Sequence, residues 1–311
     1  MNAIYIEQPH PASGYPGPFD LSDGRAYGRW RERKLAARAR RPDELVVELA
    51  DAARPTPAEV AALREKCRRC NMAIYRSRTP LDKAGVRALG RALGLERLDG
   101  NLCADGERIT ALQVNQAGRH RHYIPYTDKP LNWHTDGYYN RPEQRIRAMV
   151  LHCVRPAAAG GASGLLDHEL VYIRLRDESP DLVAALMQPD ALVIPPNTAE
   201  GEPLRGAQAG PVFSVDPHTG WLHMRYSART RNVIWKDDPL VRQAAARLRE
   251  LVVEEARDAL AYRLQAGEGV VANNVLHRRD GFEDGPGGGR LLYRARYYDR
   301  IDGTVPTGTE G

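Results

Sequence analysis

Between residues 108 and 298 the chain is cut into short apolar runs separated by Gly, Pro and Asp. The runs are Ile109–Val114, Ala148–Val154, Ala191–Ile194, Val212–Val215, Trp221–Tyr226, Gly269–Asn273 and Leu291–Tyr298. Several alternate polar with apolar residues, the period of a half-buried strand. A βαβ sheet would need a helix between successive strands, and only one strong helical pattern interrupts the series. It runs from Pro239 to about Leu264, with Leu240, Ala244, Leu248, Leu251 and Val252 as its apolar positions. The pattern therefore predicts a mainly β fold, a barrel or sandwich with helices on its flanks.

The residues before 108 read differently. Pro9, Pro11, Pro16 and Pro18 make residues 1–24 an irregular arm. Arg29–Arg41 is basic and helix-favouring, and Leu45–Ala53 continues an apolar pattern after Pro42. Thr56-Pro57-Ala58-Glu59 is a capping box that predicts a helix to about Cys70. A strand over Met72–Tyr75 and an amphipathic helix over Lys83–Leu93 follow. With no repeat and no clean linker, one domain over residues 1–311 is expected. It comprises an arm and basic helix (1–55), a helical preamble (56–107) and a β core (108–300).

Composition narrows the classes. Hydrophobic residues make up 42% of the 311 positions, enough for a substantial core. The net charge of +5 is spread along the chain, whereas a dedicated nucleic-acid binder concentrates it in one patch. No apolar run approaches the roughly 18–20 residues that span a bilayer, and the N-terminus lacks a secretion-signal layout. Four cysteines are too few for a disulfide framework in a chain of this length, so a reducing cytoplasm is expected. Cys67 and Cys70 form a CxxC, but on a predicted helix with no second pair, which reads as two partly buried thiols.

The chemistry concentrates around Asn132-Trp133-His134-Thr135-Asp136. On a strand, His134 and Asp136 point to the same face and can approach one ion together. Far downstream His277 ends the apolar run that begins at Gly269. Two His and one carboxylate are the facial triad of non-haem Fe(II) oxygenases, whereas a closed zinc site wants a fourth protein ligand. Arg290 on the next strand suits a bidentate grip on a carboxylate, which the far end of a 2-oxoglutarate cosubstrate would need. Ser163 in Gly160-Gly161-Ala162-Ser163 offers a hydroxyl donor there.

Four motifs in this order resemble the taurine/2-oxoglutarate dioxygenase family, the TauD/TfdA group. They are NWHTD at Asn132–Asp136, GGAS at Gly160–Ser163, NNVLHRRDGF at Asn273–Phe282 and RLLYRARYYDR at Arg290–Arg300. The resemblance covers roughly residues 108–300. It implies a double-stranded β-helix, or jelly roll, of the clavaminate synthase-like kind. It also implies His134, Asp136 and His277 as iron ligands, and Arg290 as the partner of the distal carboxylate of 2-oxoglutarate. Ser163 stands where the family usually has Thr and keeps the hydroxyl. Arg294 matches the residue that holds the sulfonate in the taurine enzyme, though elsewhere in the family the position need not serve the substrate. The implied cofactors are Fe(II), 2-oxoglutarate and O2. The implied reaction couples release of succinate and CO2 to hydroxylation of a small polar, anionic substrate.

Around this centre Tyr138, Tyr139, Asn132 and Arg225 are candidate substrate contacts, the last within the polar segment His223–Arg229. Arg296 is expected on the opposite face, in a structural role. His120 and His122 lie in a basic loop that could form a lid. Desaturation, epoxidation or cyclisation on the same iron site is one alternative, and a non-catalytic jelly-roll metal or small-molecule binding protein is another. A nucleic-acid-directed demethylase is disfavoured because the arginines are not concentrated on one element. The expected partner is a small molecule, with no membrane, and homo-oligomerisation is left open.

Overall fold

The computed structural model describes residues 17–100, 106–114, 123–199, 202–229, 233–257, 259–286 and 288–304. Two sheets dominate. The larger has six strands in the order Val46–Leu49, Met72–Ser77, Glu268–Ala272, Ala148–Arg155, Leu291–Tyr297, Thr110–Leu112. Its first pair is parallel and the rest are antiparallel. The smaller sheet has four antiparallel strands in the order Leu260–Tyr262, Ser163–Leu166, Leu276–Arg279, Leu131–His134.

The alternation of side chains along each strand builds three apolar layers. Met72, Ile74, Met149, Leu151, Val270 and Leu292 of the large sheet meet Leu165 and Leu260 of the small one. The opposite face of the large sheet, with Ala73, Tyr75, Val150, Val271 and Ala295, packs against Leu63, Cys67, Val86 and Leu89 of two helices. The outer face of the small sheet offers Trp133, Leu166 and Leu276 to a second helical layer. The central strands are thus buried on both sides, which explains why Ala148–Val154 is almost continuously apolar. This is the jelly roll with flanking helices that the motif order implies.

The first of those two helices is Pro57–Cys70. Its capping box forms as the spacing predicts: the Glu59 N–H donates to Thr56 Oγ1 and the Thr56 N–H to Glu59 Oε2, at 3.3 and 2.6 Å. It stops at Asn71, which takes a left-handed conformation at φ 58°. The second helix is Lys83–Ala92. The basic helix begins earlier than the sequence suggests, at Gly24, because Asp23 caps its first turn, and it ends at Ala36. After a short turn at Pro42–Leu45 the chain enters the edge strand Val46–Leu49, so the sheet recruits residues from well before 108.

Two expectations are corrected. The helix from Pro239 ends at Glu255, and Leu260–Tyr262 is instead a strand whose backbone pairs with Ser163–Leu165. Two helices, His168–Glu178 and Pro180–Leu186, stand where none is anticipated. Cys67 and Cys70 are buried free thiols, as the helical reading expects. Among the described residues no helix is long and apolar enough to cross a membrane.

Candidate active site

The metal-type cluster is built at the end of one strand pair. His134 closes Leu131–His134, and His277 sits directly opposite it on Leu276–Arg279. Their rings stand 4.2 Å apart between centroids. Asp136 does not share a strand face with His134, because the strand ends at His134. The chain turns there at Gly137, whose φ of +67° favours glycine. A Cβ on Gly137 would also lie 2.4 Å from Ile146 Cγ1. The turn swings the carboxylate back, and one donor atom from each of His134, Asp136 and His277 lies within 4.8 Å of the others.

Asn274 locks this turn to the strand that carries His277. Its side-chain oxygen accepts from the Asp136 N–H at 2.8 Å. Its amide donates to the carbonyls of Asp136 and Ile146 at 2.9 and 2.7 Å. Asn274 itself sits at φ 49°, a conformation Asn tolerates. The sequence marks it only as a member of NNVLHRRDGF. Asn followed by a short apolar step to a His is a faint signal without its distant partner.

The donor atoms fit a divalent cation. His134 Nδ1 donates to the Asn132 carbonyl at 2.8 Å and His277 Nδ1 to the Val275 carbonyl at 2.9 Å. These bonds fix the tautomer and leave each Nε2 lone pair to face the cluster. Burial, then repulsion from His277, pushes His134 down to about 3, and burial also lowers His277, so both rings are neutral at pH 7. Burial alone would raise the Asp136 carboxyl, but Arg294 and then Arg296 hold it well below the usual range. One of its oxygens, Oδ1, accepts from Arg294 Nη1 at 3.0 Å. The other, Oδ2, is buried without a hydrogen-bond partner, as expected of an oxygen kept for a metal. Two imidazole nitrogens and one carboxylate oxygen match the facial triad.

Arg296 corrects an expectation. It lies two residues from Arg294 on one strand and therefore shares its face, not the opposite one. Its guanidinium is 2% exposed and lies 3.8 Å from Asp136 Oδ1. It also pairs with Asp99 and donates to the Tyr139 hydroxyl at 2.7 Å. Two arginines thus bear on a single carboxylate.

Arg290 precedes the strand Leu291–Tyr297, and a register shift between Leu291 and Leu292 separates it from Arg294. Simple alternation therefore does not relate the two. Arg290 is 4% exposed, and its guanidinium carbon stands 5.0 Å from the centre of the Phe282 ring. Among the described residues no carboxylate pairs with it, and burial holds it at about 10. A buried cation without a counter-ion is costly unless an anion is supplied. Gly161 approaches closely beside it: a Cβ there would lie 3.5 Å from Arg290 Nε. Ser163 is buried two residues further on, opposite Arg279 in the small sheet. Arg279 gives its guanidinium to the carbonyls of Thr127 and Lys129 at 2.8 and 2.5 Å, fixing the loop that walls the site.

A cavity of about 610 Å³ opens over the cluster. His134, Asp136 and Arg294 form its floor, and Asn132, Tyr138 and Tyr139 line it, as their place in the sequence suggests. Tyr138 presents its ring at 82° to that of His134, 6.4 Å away. Arg225 does not line the cavity. It is buried, donates to the carbonyls of Tyr138, Leu192, Gly210 and Gln208, and so braces the wall from behind. His120 and His122 lie outside the described residues.

The family model for the taurine catabolism dioxygenase TauD, TfdA family matches residues 33–296. The chain belongs to the TauD/TfdA family. Its members are Fe(II)- and 2-oxoglutarate-dependent dioxygenases, and the His134–Asp136–His277 cluster is a donor set that fits Fe(II). Two curated relatives are named uridine-5′-phosphate dioxygenase. One, from Amycolatopsis, is 33% identical over 171 residues, 53% of this chain and 60% of that protein. The other, from Streptomyces, is 29% identical over 200 residues, 62% of this chain and 71% of that protein. Among solved structures, a taurine dioxygenase from Burkholderia xenovorans superposes with a TM-score of 0.56 at 20% identity, covering 81% of this chain and 85% of that one. An asparagine oxygenase solved with Fe(II), 3-hydroxyasparagine and succinate gives 0.54 at 17% identity, covering 81% and 93%. These likenesses establish the jelly-roll fold of this TauD/TfdA chain.

Proposed function

We propose that this protein hydroxylates a small anionic substrate with Fe(II), 2-oxoglutarate and O2, releasing succinate and CO2. The observation that carries the reading is the His134–Asp136–His277 cluster, with its unpartnered Asp136 oxygen, two of whose members, His134 and Asp136, line a cavity of about 610 Å³. When bound, the iron and its cosubstrate supply the oxidising power, drawn from O2 and paid out as succinate and CO2. His134, Asp136 and His277 would hold the metal, and the cavity that His134 and Asp136 line would leave room for the cosubstrate and substrate. Arg290 would take the distal carboxylate of 2-oxoglutarate, with the Ser163 hydroxyl as a further donor. Arg294 and Arg296 keep Asp136 ionised and aimed. Asn132, Tyr138 and Tyr139 orient the substrate and narrow the path of water to the site.

The names of the two curated relatives make nucleoside 5′-monophosphates the first substrates to try. The reading of the chain as one folding unit is supported by the large sheet, which interleaves residues 46–77 with residues 268–297. A reducing, cytoplasmic setting agrees with its free thiols. The test is a succinate-release screen with nucleoside 5′-monophosphates, sulfonates, amino acids, betaines and aryloxy acids. Substrate-stimulated succinate with a product heavier by one oxygen supports the reading. No stimulation by any anionic compound, with a neutral compound turned over instead, refutes it.

A further inference from the structure

Resting on the reading of the cavity as a substrate site, a second feature concerns how its charges are balanced. Its two acidic groups are both engaged. Asp136 takes Arg294, and Asp99 takes Arg296 and the Tyr298 hydroxyl, the latter at 2.7 Å. The Arg that the resemblance would give to a substrate anion is therefore already committed to a metal ligand.

Three further arginines line the wall: Arg141 is exposed, while Arg205 and Arg229 are half-buried and, among the described residues, paired with no carboxylate. Arg205 ends the strand Glu202–Arg205 and is half-buried. Its Nη2 donates to the Pro195 carbonyl at 2.8 Å and its Nη1 to the Gly206 carbonyl at 3.1 Å. Those bonds fix the guanidinium fork but supply no negative charge. Its carbon lies 5.8 Å from the centre of the Tyr139 ring. Burial holds Arg205 below its ordinary value, as for a cation without a counter-anion. Arg229, also half-buried in the cavity wall, has no carboxylate within ion-pair distance among the described residues. Both line the same cavity, Arg205 against Tyr139 and Arg229 two residues beyond Ser227, whose backbone bridges to His134. Tyr138 stands edge-on to His134. Tyr139 packs on Tyr138 at 5.2 Å, so this aromatic pair lies between Arg205 and the metal cluster.

We propose that Arg205 and Arg229 form an anion subsite that takes a phosphate-type dianion of the substrate, with Tyr138 and Tyr139 as the aromatic wall between that subsite and the metal. A planar Arg fork matches tetrahedral oxyanions in two-point contacts, and two such forks favour a dianion over a monoanion.

The test compares uridine 5′-monophosphate, uridine and inorganic phosphate by calorimetry on the Fe(II)- and 2-oxoglutarate-loaded protein without oxygen. Variants are Arg205→Ala and Arg229→Ala. The second is the cleaner probe, because its guanidinium holds no carbonyl in place. Wild type is expected to bind the nucleotide at least about tenfold more tightly than the nucleoside. Each variant should lose about tenfold for the nucleotide and for phosphate, and nothing for uridine. Wild-type binding of neither phosphate probe overturns the subsite, as does unchanged nucleotide affinity in Arg229→Ala. A loss shared equally by uridine also overturns it, since it would mark a structural role. The parent reading fails separately: phosphate binding that obeys these rules in a protein that never couples 2-oxoglutarate to oxidation leaves the subsite standing and removes the enzyme.

Discussion

At Asp136 three demands meet in one side chain: one oxygen takes Arg294, the other is left bare, and the whole group is buried. Neutralising it without changing its shape removes the charge that a cation and two arginines share. Asp136→Asn is expected to weaken Fe(II) binding at least about a hundredfold in a metal titration, while the fold is retained. An unchanged affinity would exclude Asp136 as a ligand. Asn274 acts one step back. Asn274→Gly keeps the left-handed backbone but strips three hydrogen bonds from the Asp136 turn. It should cost about 2–3 kcal/mol in urea unfolding and lower metal affinity as well. At this scale the ligand types were legible in the sequence, because HxD followed by a distant His is a chemical signature. The Asn274 brace, the pairing of Arg294 with Asp136 and the carbonyl clamp of Arg225 were not. The first two depend on partners 128 to 158 residues away and the third on partners 15 to 87 residues away, which no local pattern encodes.

Among the elements, local signals that end in solvent were readable and those that end in the core were not. The Thr56–Glu59 box and the half-exposed helix Lys83–Ala92 carry their own start signals and apolar stripes. Helix His168–Glu178 does not: eight of its eleven residues are buried, Glu169 and Arg176 among them, so polar and apolar positions do not sort by face. Likewise Leu260–Tyr262 follows a helix without a Gly or Pro stop, and only its pairing with Ser163–Leu165 makes it a strand. The turn after the strand Leu131–His134 is the element on which the site depends. Gly137→Ala adds a Cβ at 2.4 Å from Ile146 Cγ1 and at a positive φ. It is expected to cost about 1–3 kcal/mol and to loosen Fe(II) binding, both read from thermal unfolding with and without metal. Unfolding indifferent to the substitution would show that the turn is not as tight as described.

Across the whole molecule, several histidines are buried in neutral form. His152 Nε2 accepts from the Leu81 N–H at 2.7 Å, its Nδ1 donates to the Tyr75 hydroxyl at 2.9 Å, and burial pushes it down to about 4. Burial also lowers His168 and His223. The unfolded chain takes up protons near pH 6.5 and the folded chain only further down. Stability is therefore full above about 6.5 and is lost as the pH falls from there toward about 4. The urea midpoint of the metal-free protein should drop between pH 7.5 and pH 5, with the steepest change below 6.5. A flat profile would mean that these rings are not held neutral. Interleaving of early and late strands in one sheet predicts that this loss is a single cooperative transition.

The central claim is that His134, Asp136 and His277 hold iron beside a 2-oxoglutarate gripped by Arg290. Anaerobic addition of Fe(II) and 2-oxoglutarate, followed by visible absorption, addresses it directly. A weak charge-transfer band should saturate at one iron and one 2-oxoglutarate per chain. It should vanish in His277→Ala, and in Arg290→Ala it should return only at much higher 2-oxoglutarate. No band in the wild type, or an undiminished band in His277→Ala, would contradict the account.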